Sequence, residues 1–221
     1  MGRASAQPVA YSSQVAVDLP EMFGPIDIYL FDQLLRGRIR PGMRVLDAGC
    51  GGGRNLVFLF REDYDVCACD ADARAIDEVR RLAARLAPAL PASNFRVEPV
   101  ERTSFDAESA DAVVSSAVLH FAGDEAQFDA MLREMWRVLR PGGLLFARLA
   151  STIGIESEVT PLGGRRFHLP DGSERFLVDA DLLARAERAL DAEPLDPLKT
   201  TVVQNQRSMT TWVLRKRQGK R

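Results

Sequence analysis

The chain is short of the residues that would tie it to an oxidising compartment or to a metal. Only three cysteines occur among its 221 residues, Cys50, Cys67 and Cys69, and all stand in apolar, strand-like surroundings. An odd, clustered set of thiols argues against a disulfide framework and for reduced cysteines in a cytoplasmic protein. Cys67-Ala68-Cys69 puts two thiols on one strand face, but no second ligand pair follows, so no metal site is expected. Charge of one sign is missing too. Lysine and arginine number 29 against 31 acids, a formal net charge of -2. That leaves no electrostatic footprint for wrapping nucleic acid, and no nucleic-acid partner is expected. No run approaches the roughly 18 apolar residues of a membrane span, and the N-terminal stretch lacks the apolar core of a signal peptide. The composition is otherwise ordinary, 46% hydrophobic and 27% charged. A chain of this length can bury roughly 70% of the surface its unfolded form exposes, so it needs no covalent staples.

What the chain does have is a glycine cluster at the end of a strand. Val45-Leu46-Asp47-Ala48 runs into Gly49-Cys50-Gly51-Gly52-Gly53-Arg54-Asn55, and a helix is expected over 55–61. Glycines at such a joint permit positive φ and let a ligand touch the backbone. The helix opening there would offer free N–H groups and a partial positive charge. Strand, glycine turn and helix together make a nucleotide site in open α/β sheets.

Around that joint the chain alternates. Strands are expected at 44–48, 65–69, 95–97, 112–116 and 144–149, with helices at 72–86 and 124–139 between them. Arg140-Pro141-Gly142-Gly143 is expected to be a tight turn. Alternation of this kind implies a parallel sheet with crossover helices on both faces. Upstream, Pro25 is expected to open a helix that carries Ile26, Tyr29, Leu30, Gln33 and Leu34 at helical spacing and stops at Gly37. The last third breaks the pattern. Segments 166–169 and 175–178 flank Pro170-Asp171-Gly172-Ser173, a hairpin signal. A helix follows over 180–190, capped by Asp179. Strands at 198–203 and 209–214 would finish the sheet with an antiparallel edge. The expected fold is therefore a doubly wound three-layer α/β/α sheet, mostly parallel. Its organisation reads as an N-terminal arm or lid (1–18), then one domain over 19–215. That domain comprises a helical cap (19–42), a ligand-binding core (43–150) and a substrate-side hairpin with terminal strands (151–215). A basic tail (216–221) ends the chain.

The glycine spacing discriminates between nucleotides. A dinucleotide fingerprint needs a third glycine where Arg54 or Leu56 stands, and a P-loop needs a Gly-Lys-Ser/Thr ending that is absent. Asp47 would repel a pyrophosphate but suits an ammonium-bearing ligand. Asp70 ends the second strand, where an acid can accept both ribose hydroxyls. Taken in order, Val45 to Asn55, Cys69-Asp70, Asp111 to Ser116 and Leu139 to Leu145 resemble the motifs of class I S-adenosylmethionine-dependent methyltransferases, across residues 43 to 150. The Gly53-Arg54-Asn55 ending is similar to their small-molecule, tellurite-resistance-type branch.

The resemblance implies S-adenosylmethionine as cofactor, a Rossmann-like fold and direct methyl transfer to a small-molecule acceptor. It implies that Gly49, Gly51 and Gly53, with Arg54 and Asn55, pass under the amino acid moiety, and that Asp47 faces its ammonium. Asp70 would hold the ribose and Ala71 would lie against the adenine. Ser115 and Ser116 would stand beside the sulfonium. The acid that members usually present to the adenine amine falls here on Pro99, which leaves Val100 N–H and Glu101 for that contact. Bland readings stand beside these. Asp47 could cap the glycine turn, Asp70 the following helix, and Glu101 could be a solvated loop charge. His120, four residues past Ser116, is the candidate general base, though it could equally be a hydrogen-bonded packing residue. Tyr29 is a candidate wall of the site or a core residue. Arg148 on the fifth strand reads as half of a buried ion pair, or, with Arg165, Arg166 and Arg175, as a receiver of an anionic substrate. A protein or RNA-component methyltransferase, a nicotinamide-dependent oxidoreductase and a non-catalytic S-adenosylmethionine-binding module are the alternatives.

Overall fold

The computed structural model describes residues 18–219; Tyr11 and nearly all of the expected N-terminal arm lie outside that range. Seven strands form one path across the main sheet: β1 (Arg44–Ala48), β2 (Asp65–Asp70), β3 (Phe95–Val97), β4 (Ala110–Ser116), β5 (Leu139–Ala150), β10 (Lys199–Val203) and β11 (Arg207–Lys216). Their order is β10-β11-β5-β4-β1-β2-β3, and β9 (Ala192–Pro194) also pairs with β11. Neighbours from β5 to β3 run parallel, and β11 is antiparallel to β5, β10 and β9. The chain winds outward from β1 in one direction and from β4 in the other. That reversal leaves a crevice beyond their carboxyl ends, where open α/β sheets place ligands.

Strand alternation sorts the core into two layers. Val45, Val66, Val114 and Phe146 pack with α3 (Val57–Arg61) and α4 (Ala73–Leu86). Leu46, Cys67, Val113 and Leu145 pack with α5 (Glu125–Val138) and α6 (Ala180–Ala189). The helices start where short acids can cap them. Asp72, Asp124 and Asp179 accept the N–H groups of Arg74, Gln127 and Leu182, each satisfying one orphan donor. A three-stranded antiparallel sheet, β6 (Thr160–Gly163), β7 (Arg166–His168) and β8 (Glu174–Phe176), stands beside the crevice. The described helices include none long and apolar enough to cross a membrane.

The structure departs from the sequence reading in five places. Residues 19–36 form two helices, α1 (Leu19–Phe23) and α2 (Ile28–Leu35), because Gly24 turns the chain at φ +61°. The N-cap of α2 is Asp27, whose carboxylate accepts the Tyr29 N–H, so Pro25 does not open the helix. The helix after the glycines starts at Val57, not Asn55, since turns at Gly51 and Gly53 (φ +51° and +81°) carry the chain to Leu56. Arg140 to Gly143 is a bulge inside the β4–β5 ladder, where Ala110 faces Leu139 and Ala112 faces Leu144; the extra residues are absorbed without breaking the strand. Strands β6 and β9 were not expected. The first contains proline and glycine, tolerated at an exposed edge, and the second is only three residues long.

Phe146 is fully buried at the centre of the sheet. Phe146→Ala is expected to cost about 3–5 kcal/mol in chemical denaturation, the range for emptying such a site; a loss under 1 kcal/mol would mean that this layer repacks.

Candidate active site

A cleft of about 810 Å³ opens at the crevice. Its floor is the glycine turn after β1. Cys69 O at the end of β2 accepts both Gly49 N–H and Cys50 N–H, at 2.8 and 3.0 Å, which fixes the turn to the neighbouring strand. Gly49 has φ +81°, and a Cβ there would lie 2.6 Å from Val118, whereas nothing stands within 4 Å of the Cβ position of Gly51. The first glycine is required by packing, and the second leaves the cleft open to the backbone.

Two carboxylates define the charge of this floor. Asp47 is 1% exposed, and its Oδ2 has no hydrogen-bond partner among the described residues. Burial pushes its pKa up to about 7; Arg54 pulls it down and Asp70 pushes it further up. Asp70 is held differently. Its Oδ2 accepts Gly51 N–H at 2.8 Å and its Oδ1 accepts Asp72 N–H at 2.9 Å. Each oxygen keeps a second lone pair for a ligand. Asp72 caps α4, so Asp70 is free of that duty. Ala71, Pro99, Val100 and Glu101 continue the wall, joined by Leu82, Gln127 and Met131. Glu101 Oε1 accepts Gln127 Nε2–H at 3.1 Å, so Glu101 is tied to α5 and is not a loose loop charge.

The opposite wall rests on a residue that sequence reasoning passed over. Asp27 is 4% exposed. Its Oδ2 accepts Ser116 Oγ–H at 3.1 Å and Arg148 Nη1–H at 3.2 Å, with Arg54 Nη2 at 3.6 Å. Arg54 Nη2–H also donates to Ser116 Oγ at 2.8 Å. Arg148 is therefore half of an ion pair, and its guanidinium lies 5.2 Å from the centre of the Tyr29 ring. The signal for Asp27 was available: an Asp immediately before an amphipathic run is an N-cap pattern.

The structure gathers Gly49, Gly51, Gly53, Arg54, Asp70, Ala71, Val100, Glu101 and Ser116 in the cleft wall. Asp47 lies beneath the turn. The other predicted residues are placed elsewhere. The Asn55 side chain is buried and accepts Asp27 N–H at 2.9 Å, pinning the N-terminal helices to the glycine turn. Ser115 pairs in register with Ala147 on the α5 side of the sheet, so period-two alternation turns it away from Ser116 and the cleft. Tyr29 is outside the wall; its hydroxyl meets Thr201 Oγ1 at 2.6 Å. The reading of His120 as a base is corrected. Its Nδ1 accepts Ala150 N–H at 3.2 Å. Burial, with Arg175 and Arg148 adding to it, brings its pKa down to about 4. The neutral imidazole thus has one nitrogen spent and a proton on the other, which makes it a donor. His168 is exposed on β7. The three cysteines are buried and unpaired.

His120 is expected to stay neutral down to about pH 5 when its ring resonances are followed by NMR, and the Ala150 N–H that it accepts to lose exchange protection only on unfolding. A titration centred near 6.5 would show the imidazole open to solvent and able to act as a base.

Residues 46–147 match the family model of a methyltransferase domain. The ubiquinone biosynthesis O-methyltransferase of Methylocella silvestris is 33% identical over 168 residues, covering 70% of this chain and 63% of that protein. The tRNA 5-carboxymethoxyuridine methyltransferase of Escherichia coli K12 is 29% identical over 103 residues, or 47% of this chain and 38% of that protein. The chain thus spans less than two thirds of the length of these relatives. Among solved structures, 1,6-didemethyltoxoflavin-N1-methyltransferase of Burkholderia thailandensis, with bound 1,6-didemethyltoxoflavin and S-adenosylhomocysteine, aligns with a TM-score of 0.65 at 20% identity, covering 86% of this chain and 76% of that one. At that identity the likeness speaks for the fold. The family match, in contrast, runs through the glycine turn, Asp70 and Ser116, so residues 46–147 are a methyltransferase domain.

Proposed function

We propose that the cleft binds S-adenosylmethionine and that the protein moves its methyl group to a small-molecule acceptor. The carrying observation is the buried, unpartnered Oδ2 of Asp47 beneath an open glycine turn. An orphaned buried carboxylate is costly unless a cation meets it, and an ammonium group supplies one. A pyrophosphate at the same place would be repelled, which disfavours the nicotinamide alternative.

The residues present fit the cofactor. Asp47 would face the ammonium, and Arg54, partly exposed at the cleft, can meet a carboxylate. Asp70, already oriented by two backbone N–H groups, can accept both hydroxyls of a ribose. Ala71, Leu82, Val100 and Met131 offer an apolar slot for a purine, with Glu101 and Gln127 as polar groups at its edge. When bound, the cofactor supplies an electrophilic methyl on a sulfonium, which an acceptor nucleophile displaces directly. The protein's part is alignment, which can be worth roughly 7–11 kcal/mol in a well-oriented pair. Ser116, locked between Asp27 and Arg54, stiffens the wall on the acceptor side. The free buried thiols support a reducing, cytoplasmic setting. RNA as the acceptor is the second reading; the tRNA-modifying relative favours it, and the balanced charge of the chain opposes it.

Calorimetry with S-adenosylhomocysteine and with NAD decides the class: binding of the first alone is expected, and binding of NAD alone would overturn the proposal. Asp70→Ala is expected to weaken S-adenosylhomocysteine by about 1–3 kcal/mol, the worth of a charge-assisted hydrogen bond; unchanged affinity would place the ribose elsewhere. Transfer of labelled methyl groups to bulk tRNA, with none to small acids or phenols, would favour the second reading.

Asp47 also predicts a pH dependence. Its folded pKa of about 7 lies above the ordinary 3.8. Without ligand, the folded state retains the proton across that window while the unfolded chain releases it, so stability falls as pH rises from about 4 to about 7. The ligand's ammonium requires the ionised form. Affinity for S-adenosylhomocysteine should therefore be several-fold higher at pH 8 than at pH 6, with protons released on binding near pH 6.5. Asp47→Asn should flatten the profile; an identical profile in the variant would place the titrating group elsewhere.

A further inference from the structure

The acceptor end of the cleft has a chemical character of its own. Phe121 lines the cleft with 61% of its surface exposed, so its ring is open for a flat group to pack on. The Arg175 guanidinium, from β8, lies 5.0 Å from the centre of that ring. Arg175 is only half-buried, and among the described residues no carboxylate pairs with it. Its Nη1–H donates to the carbonyl of its neighbour Glu174. Asp171, which feels its charge, is already paired with Arg207 at 3.5 Å.

A second cation stands near. Burial keeps the His120 imidazole neutral, and the charges of Arg175 and Arg148 add to that effect, so a second guanidinium acts on the same ring. The His120 ring packs on Phe121 with centroids 4.7 Å apart, and its protonated nitrogen is a further donor. Arg148 gives Nη1–H to Asp27, but its Nε is buried without a partner. Arg54 and Arg148 both meet the carboxylate of Asp27, whereas Arg175 pairs with no carboxylate among the described residues, which leaves its charge uncompensated at the acceptor end.

We propose that this rim selects the acceptor, which is a flat acid: its ring rests on Phe121, and its carboxylate or comparable anionic group pairs with Arg175, the specificity-determining residue. A guanidinium stacked on an aromatic ring keeps its edge free for bidentate pairing with a carboxylate, and the same ring offers its exposed area to the acceptor's plane. A neutral or cationic acceptor would leave the half-buried Arg175 without compensation.

The proposal rests on the methyltransferase reading for the place of the acceptor, and the test separates the two. Protein saturated with S-adenosylhomocysteine is titrated with 4-fluorobenzoate and with 4-fluorobenzamide, followed by fluorine NMR. The acid is expected to bind at least five-fold more tightly than the amide. Arg175→Gln should abolish that preference while leaving the amide unchanged, and Arg175→Lys should restore part of it. Phe121→Ala should weaken both probes alike. Unchanged S-adenosylhomocysteine affinity in calorimetry shows that each variant is folded; should the glutamine variant fail it, the lysine variant and the wild-type preference decide. Equal binding of the two probes by the wild type, no saturable binding of the acid, or an acid preference that survives in Arg175→Gln would overturn the proposal. Loss of S-adenosylhomocysteine binding by the wild type would instead sink the methyltransferase reading.

Discussion

A carboxylate buried with one oxygen unsatisfied organises this molecule. Asp47 is on the central strand, under the turn that closes the cleft floor. An apolar residue there would be cheaper for the fold, since an unpartnered buried carboxylate costs several kcal/mol or is forced to hold its proton. The fold takes the second course, and the pKa near 7 records it. The surroundings limit the cost. Arg54 is near enough to pull the pKa back, and Asp70, whose charge opposes this, is occupied by two backbone N–H groups. A site built in this way is poised for a cation, and its occupancy relieves a cost already built into the folded chain.

The helix expected to open the cleft contributes less than the pattern suggested. It has five residues and no side-chain cap, so its macrodipole is small. Carboxylates and glycine geometry do the work instead. The cap residue that is missing from this helix has been diverted: Asn55 holds the backbone of Asp27, and Asp27 in turn gathers Ser116, Arg148 and Arg54. The N-terminal helices, the glycine turn, β4 and β5 are thereby joined at one buried carboxylate. Removing one partner from such a cluster strands the others. Ala117 belongs to the same junction. It sits at φ +65° and donates its N–H to Arg148 O at 2.7 Å, a strained backbone position for a residue with a Cβ, maintained by the packed strands on either side.

Much of the fold was legible because local signals agreed with one another. The five parallel strands, the Asp179 cap and the 166–178 hairpin follow from alternation, a short acid and a Pro-Asp-Gly-Ser turn. Signals failed where tertiary context overrode them. A fixed glycine spacing could not show that turns would persist to Leu56, because that depends on Asn55 reaching Asp27 across 28 positions. Adjacent serines looked equivalent in the motif, yet period two sends Ser115 and Ser116 to opposite faces of β4, and only Ser116 reaches the cleft. His120 looked like a base because it follows the fourth strand. Its role is set by Ala150 N–H and two arginines that are distant in sequence. Gln127 and Met131 are four apart on α5 and both line the cleft, but their polarity and burial alone pointed only to a helix face.

The two ends of the cleft obey different rules, and this explains why the family motifs stop short of the acceptor. The cofactor end is made from strand termini and their turns, whose geometry is fixed by the sheet; any chain with this winding presents the same backbone groups there. The acceptor end is made from Pro25, Phe121 and the small sheet that carries Arg175, segments outside the regular alternation and free to vary without disturbing the core. Only side-chain chemistry distinguishes one acceptor from another at such a rim. Here that chemistry is an exposed aromatic ring, a guanidinium without a counter-ion and a histidine constrained to donate. Because the Nδ1 lone pair of His120 is taken by Ala150 N–H, an acceptor that arrives already ionised suits this rim better than one whose proton must be removed there. Burial is the main reason that the imidazole stays neutral, and the cations that would attract such an acceptor add to it.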